Sequence, residues 1–292
     1  MSANDGNGEA KGSGGGGGAN VGFDTKDEVA AFNEHPAVPI FSKYVEDLLP
    51  TFDWFNTKSS PLNVLDYGCG NGINLFKLVR LGHSVTGVDV SKAMIEYVQS
   101  KIKDECKQDK NAKNDGSGGG KSDEASSGGP ATIYQPTLIH LDTDEIDGND
   151  IFTDATNSMF DLVLVSLVLH HAKDPLEIVK NLSKTLKEDN GGEIGGGKLL
   201  IVEFDKTERT EKTRAKISGK GHGGGEHKHG DDGHQSKKMK HDHDHYLDRD
   251  EVVKAMTDSG LKIVENKKFT LDVQPPDSIM DCYYVIGHKV DE

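Results

Sequence analysis

The segment VLDYGCGNGINLF, residues 64–76, constrains the fold more than any other part of this sequence. It places three glycines in five positions, Gly68, Gly70 and Gly72, between a short apolar run and an apolar ladder with helical spacing. The pattern predicts a strand, a loop of high backbone freedom and then a helix, because glycine reaches positive φ angles and lets a ligand lie against the backbone. A ligand-binding loop and a mere tight turn both satisfy this pattern, so the loop alone does not decide between them.

Strand and helix patterns alternate along the rest of the chain. Short apolar runs predict strands at residues 62–67, 84–90, up to 141, 160–169, 198–204, 261–265 and 283–287. Helical spacing occurs between them, at 38–49, 73–81, from Ser91 onward, at 175–186 and at 248–259. This alternation predicts an α/β fold, an open twisted sheet of about seven strands, mostly parallel, with helices on both faces. The last two strands are joined without a helix, so one of them can run antiparallel.

Three tracts of low complexity interrupt the pattern. Residues 1–22 are Gly-rich and nearly free of apolar side chains, so we predict a disordered tail followed by one domain at 23–292. Two further tracts, at about 104–130 and 206–244, are predicted to be insertions in that domain. The second is rich in histidine, but the spacing is irregular and no cysteine accompanies it, so we predict no metal site.

Composition argues against several classes of partner. The net charge of −15 disfavours a nucleic acid, whose binding relies on clustered lysine and arginine. No apolar run reaches the length of about 18 residues that a membrane span needs. The cysteines are an odd and scattered set, Cys69, Cys106 and Cys282, and the first residues do not resemble a signal peptide. Both observations favour a reducing, cytoplasmic location.

Two acidic residues narrow the chemistry of a ligand at the glycine loop. A dinucleotide loop uses GxGxxG, whereas here Ile73 stands in place of the third glycine, and no phosphate-loop GK[ST] follows. Asp66 immediately precedes the glycines, where it would repel a pyrophosphate but suits a positively charged amino group. Asp89, about 20 residues further on, stands where a carboxylate accepts hydrogen bonds from ribose hydroxyls. S-adenosyl-L-methionine has the required ribose and cationic end and no phosphate.

Three motifs carry a family resemblance. VLDYGCGNG followed by VTGVDVSKAM resembles the first two motifs of class I S-adenosylmethionine-dependent methyltransferases, and FDLVLVSLVLHHAKDP resembles their fourth-strand segment. The similarity covers residues 62–287, and HDHDHYLDRDEVVKAMTDSGLKIVENKKF also resembles methyltransferase domains of type 11 or 12. The resemblance implies a Rossmann-like methyltransferase domain at 23–292.

The same resemblance implies roles for individual residues around the cofactor. Asp66 would meet its amino-acid end, Gly68 and Gly70 would let the backbone approach it, and Asp89 would accept from the ribose hydroxyls. The other implied contacts surround the adenine and the methyl group: Val90, Met94, Asp142, Thr143 and Ser166.

Methyl transfer depends mainly on alignment, although a hydroxyl or acidic-carbon acceptor benefits from a general base. His171, after the fourth strand, is the predicted base, with a purely structural histidine pair as the alternative. By the type 11 or 12 resemblance, His245 and Tyr246 would line the acceptor side. The sequence shows no basic groove or peptide-docking motif, so a small-molecule acceptor is expected. The alternatives are a protein methyltransferase, for which the acidic surface would suit a basic polypeptide, and a catalytically silent cofactor-binding protein that serves a partner.

Overall fold

Seven strands form one sheet in the part of the chain that the computed structural model describes, residues 23–56, 61–112, 135–141, 160–189, 195–213, 247–273 and 278–290. The strands are β1 (Asn63–Tyr67), β2 (Ser84–Asp89), β3 (Thr137–His140), β4 (Leu162–Ser166), β5 (Lys198–Phe204), β6 (Leu261–Asp272) and β7 (Ile279–Lys289). Their spatial order is β3–β2–β1–β4–β5–β7–β6. Strand order therefore reverses between β1 and β4, which is the point where open α/β sheets bind ligands.

Helices connect and cover the strands. They are α1 (Lys26–Glu34), α2 (Ala37–Leu48), α3 (Asp53–Asn56), α4 (Ile73–Arg80), α5 (Lys92–Ala112), α6 (Pro175–Lys184) and α7 (Arg249–Asp258). Acidic N-caps fix two of the starts: the Asp174 side chain accepts from the Glu177 N–H, and the Asp248 side chain accepts from the Asp250 N–H. None of the helices in the described ranges combines the length and the apolar composition that a bilayer crossing requires.

The central parallel strands β1, β4 and β5 are covered on both faces. Side chains of β4 alternate between the two faces, as strand geometry requires. Val163 and Val165 join the apolar cluster that α6 and α7 complete, whereas Leu162 and Leu164 join the cluster that α4 and α5 complete. The predicted α/β sheet with helices on both faces is confirmed, and the near-continuous apolar sequence of β4 follows from this double covering.

The last two strands form a long antiparallel hairpin at one edge of the sheet. β7 runs antiparallel to both β5 and β6, as the missing crossover helix allowed. The predicted lengths were wrong, since β6 has 12 residues and β7 has 11. The sequence does not indicate the extra length of β6, because this strand is only partly buried and its segment ENKKFTLD contains no apolar run. Cys282 pairs with Phe204 at the carboxyl end of β5, so the tip of the hairpin extends beyond that end of the sheet.

The fourth strand ends earlier than its apolar sequence predicts. The prediction extended it to residue 169, but β4 ends at Ser166 because Leu167 adopts a left-handed φ of 56°. That conformation costs a non-glycine residue about 1–2 kcal/mol, and it takes the chain out of the sheet. The chain then forms a 3₁₀ turn, Leu169–His171, which carries both histidines. Strained backbone of this kind is concentrated at functional sites.

Candidate functional site

A cavity of about 580 Å³ lies at the carboxyl ends of β1, β2 and β4. The loop after each of these strands contributes to its lining, and α1 and α2 contribute from outside the sheet. Eight residues that the sequence singled out line this one cavity: Asp66, Gly68, Gly70, Asp89, Val90, Met94, Ser166 and His171. The four remaining predicted site residues, Asp142, Thr143, His245 and Tyr246, lie outside the described residues.

The three glycines of the loop all have positive φ, but a side chain would meet different surroundings at each of them. A Cβ on Gly68 would come within 2.3 Å of a Val168 methyl carbon, and one on Gly72 would lie 3.0 Å from Val98. A Cβ on Gly70 would meet nothing closer than 3.9 Å, a carbon of the Phe32 ring. Gly68 and Gly72 are therefore required by protein packing, whereas Gly70 keeps open the space in which a ligand would lie.

Asp89 fixes the glycine loop to the start of α5. Its two carboxylate oxygens accept the Gly70 N–H and the Ser91 N–H, both at 2.8 Å. Ser91 caps α5, since its hydroxyl oxygen accepts the Met94 N–H at 3.1 Å. Burial raises the pKa of Asp89, and the two N–H donors oppose that shift. The carboxylate retains lone pairs beyond these two bonds, so it can accept further hydroxyl donors.

Asp66 is a buried carboxyl with an unsatisfied oxygen. Within the described residues, Oδ2 of Asp66 has no hydrogen-bond partner. Burial, and then the nearby charge of Asp89, raise its pKa from 3.8 to about 7, while the Leu75 N–H opposes the shift. A buried acceptor without a partner is costly, so the site is complementary to a cationic donor. Asp66, Asp89 and the open space at Gly70 thus fit the ammonium and ribose groups of S-adenosylmethionine.

The thiol of Cys69 takes no part in this chemistry. Cys69 is buried under the loop, and burial raises the pKa of its thiol well above the ordinary value. Its backbone N–H donates to the Val88 carbonyl at 2.9 Å, which ties the loop to β2. The residue therefore acts as a small packing group.

Sequence reasoning missed a buried histidine–glutamate pair beyond β4. Nδ1 of His170 lies 2.8 Å from a carboxylate oxygen of Glu203, which stands near the end of β5 and is fully buried. The rings of His170 and His171 lie 3.9 Å apart, and both line the cavity. An acid near the end of the apolar strand KLLIVEF was the available signal, because carboxyl ends of neighbouring parallel strands converge at one edge.

Sequence reasoning also missed α1, which lies over the loop. Its start is a capping box, in which Thr25 and Glu28 each bond to the other's backbone N–H. The Asn71 amide donates to Asn33 at 2.8 Å, and the Ser91 hydroxyl donates to the Phe23 carbonyl. The T-x-x-E spacing of Thr25 and Glu28 is the sequence signal that indicates this helix start. These bonds hold α1 against the loop and enclose the cavity on that side.

The sequence of this chain matches a known protein family over most of its length. Residues 40–266 match the model of a family described as a methyltransferase domain. A stretch of 149 residues is 25% identical to an uncharacterised methyltransferase of Schizosaccharomyces pombe, covering 51% of this chain and 41% of that protein. The match thus spans less than half of that relative's length.

Solved structures show a similar fold. A SAM-dependent methyltransferase from Methanosarcina mazei has a TM-score of 0.50 and 17% identity, over 81% of this chain and 96% of that one. A magnesium protoporphyrin IX methyltransferase from Synechocystis PCC 6803, crystallised with bound SAH, has a TM-score of 0.48 and 14% identity, over 91% of this chain and 88% of that one. At these identities the likeness concerns the fold alone.

Proposed function

Because the chain belongs to the methyltransferase domain family and uses S-adenosylmethionine, we propose that it transfers a methyl group to a small-molecule acceptor. The cofactor supplies the methyl group as a sulfonium substituent, and the residues of the chain align the acceptor with it. A cytoplasmic location is part of the proposal, because Cys69 and Cys282 are both buried as free thiols.

The cavity wall around the loop is proposed to hold the cofactor. Oδ2 of Asp66 would accept from the cationic amino group, and Asp89 would accept from the ribose hydroxyls with its remaining lone pairs. Val90 and Met94 line the cavity on the side proposed for the adenine, where Asp142 and Thr143 would add contacts. Ser166, at the end of β4, would lie next to the methyl group.

The observation that carries the small-molecule proposal is the continuation of the cavity past Ser166. Beyond that residue it runs between α2, the end of β5, the start of β7, and the turn that carries His171. An acceptor is therefore held among side chains of the domain interior, as small-molecule sites are. His171 is proposed as a candidate base on this side, together with His245 and Tyr246 as acceptor contacts.

Transfer of a radiolabelled methyl group into cell extract tests the proposal. The purified enzyme is incubated with labelled S-adenosylmethionine and extract, and the products are separated by size. We expect the label in the small-molecule fraction, and none there with the Asp89→Ala variant. Label in polypeptides would contradict the proposal in favour of a protein methyltransferase, and no label in either fraction would favour a silent cofactor-binding protein.

A further inference from the structure

The acceptor end of the cavity has an apolar wall. Six of the described residues that line the cavity beyond β4 come from four parts of the fold and belong to one apolar cluster: Ala37, Phe41, Leu167, Phe204, Val273 and Met280. The rings of Phe41 and Phe204 meet edge to face at 5.1 Å. Such a wall gains free energy by covering an apolar acceptor, and it offers few partners to a polar one.

The charges around the cavity are of one sign. Among the described residues that line it, the ionic side chains are Glu28, Asp66 and Asp89, and none is lysine or arginine. An acceptor carrying a carboxylate or phosphate would lose hydration there without gaining a cationic partner. It would also enter a chain whose net charge is −15. These charges disfavour an anionic acceptor, and the apolar wall, which offers few polar partners, favours a neutral acceptor over a charged one.

His170 is held in one orientation and one tautomer by Glu203. The Glu203 carboxylate accepts the Leu169 N–H at 3.1 Å and the Phe204 N–H at 2.9 Å, so its position is fixed from two sides. Its bond to His170 Nδ1 then requires a hydrogen on Nδ1, because a carboxylate only accepts. In the neutral ring, the lone pair consequently resides on Nε2.

The lone pair of His170 Nε2 is available to a ligand. The ring bonds to Glu203 through Nδ1 and not through Nε2, and it lines the cavity next to Phe204, at a centroid distance of 5.2 Å. A histidine whose Nδ1–H is held by a buried carboxylate, and whose ring lines a substrate cavity, has the arrangement of a general base.

We propose that the acceptor is a neutral, largely apolar molecule with a weakly acidic hydroxyl group, and that His170, oriented by Glu203, accepts the hydroxyl proton. This inference rests on the proposed function. The proton passes from the acceptor oxygen to Nε2, and an oxygen electron pair forms the bond to the methyl carbon. The electron pair of the breaking methyl–sulfur bond stays on sulfur, which becomes a neutral thioether. His170 is thus the catalytic residue, in place of the candidate His171, and Glu203 is a positioning residue.

Binding of two matched probes tests the acceptor class. 2-Naphthol and 2-naphthoate share the ring system, and at pH 7.5 only the second is an anion. Each is titrated into the full-length protein saturated with S-adenosylhomocysteine. We expect 2-naphthol to bind at least about tenfold more tightly, because the anion loses its hydration without a cationic partner. Equal or tighter binding of 2-naphthoate, or no binding of 2-naphthol, would overturn the acceptor class.

The tautomer of His170 tests its orientation by Glu203. In ¹⁵N-histidine-labelled protein, the His170 signals are identified by their absence in His170→Gln, and we expect the Nδ1–H tautomer. Glu203→Gln should shift those signals, whereas His288→Gln, at the opposite end of the sheet, should leave them unchanged. An Nε2–H tautomer in the wild type, or signals that Glu203→Gln leaves in place, would overturn the positioning role.

Methyl transfer to 2-naphthol tests the base itself. We expect His170→Gln to lower the turnover number by about 100-fold or more, which is the scale of general-base catalysis. Equal rates in the wild type and His170→Gln would overturn the catalytic role of His170. The same holds if neither protein transfers a methyl group to 2-naphthol. Titration of S-adenosylhomocysteine alone separates this failure from that of the proposed function, since the cofactor site would still bind if only the acceptor inference were wrong.

Discussion

Replacing Gly68 with alanine is expected to lower the free energy of unfolding by about 2–5 kcal/mol. Two costs add at this position. The residue has a φ of 68°, which an alanine adopts only with strain, and its Cβ would lie 2.3 Å from a methyl carbon of Val168. Val168 yields little, because a β-branched side chain has few alternative rotamers. Urea denaturation of the cofactor-free protein measures the effect.

Gly82→Ala is the matched control for backbone strain. Gly82 has a φ of 86°, but a Cβ there would meet nothing within 4 Å, so only the strain of about 1–2 kcal/mol remains. Val168→Ala combined with Gly68→Ala should recover part of the loss, since it removes the methyl carbons that collide. A Gly68→Ala variant as stable as Gly82→Ala would contradict the packing role assigned to Gly68.

Asp66→Asn is expected to stabilise the cofactor-free protein at pH 8 and to weaken cofactor binding. Folding raises the pKa of Asp66 from 3.8 to about 7, so between these values the folded chain retains a proton that the unfolded chain has released. The contribution of this group to stability therefore falls as the pH rises from about 4 to about 7. Above pH 7 the ionised Asp66 carboxylate lowers the free energy of unfolding by its full amount, at most about 4 kcal/mol. Asparagine carries no charge and removes this cost.

Thermal unfolding at pH 5 and pH 8 measures this effect. The gain in melting temperature from Asp66→Asn should be larger at pH 8, whereas the exposed Asp258→Asn should change little at either pH. The affinity for S-adenosylmethionine should fall by about tenfold or more, because the amino group loses a charged acceptor. A variant that is destabilised at pH 8, or that binds the cofactor normally, would contradict the role given to Asp66.

The parallel half of the fold could be predicted because its signals are local. The strand β4 reads as continuous apolar sequence since both of its faces are covered, and the glycine loop marks the turn into α4. The β6–β7 hairpin is different, because its length depends on pairing with a neighbour. Its edge strand is partly buried and charged, so no local pattern shows where it ends.

The meeting of the glycine loop and its two carboxylates at one cavity could also be predicted, because the loop and the carboxylates follow successive strands in the sequence. Asp66 and Asp89 lie at the carboxyl ends of neighbouring strands and therefore meet at one edge of the sheet. The reason for Gly68 could not be found in this way, since Val168 lies 100 residues further along the chain and reaches the loop only in the folded state.

The histidine–glutamate pair was hidden for a similar reason. His170 and Glu203 are separated by 33 residues, and their contact depends on the turn that begins at Leu167. In the sequence, the two histidines after β4 look equivalent. Only the position of the Glu203 carboxylate distinguishes His170 from His171.

Calorimetric titration of S-adenosylhomocysteine into the purified protein tests most directly the claim that the glycine loop and its two carboxylates form the cofactor site. We predict micromolar binding to the wild type and a loss of about 10- to 100-fold in Asp89→Ala, because a charged acceptor of the ribose hydroxyls is removed. Glu96→Ala, an exposed acid on α5, should bind like the wild type. Wild-type affinity in a folded Asp89→Ala protein, or no binding to the wild type, would contradict the claim.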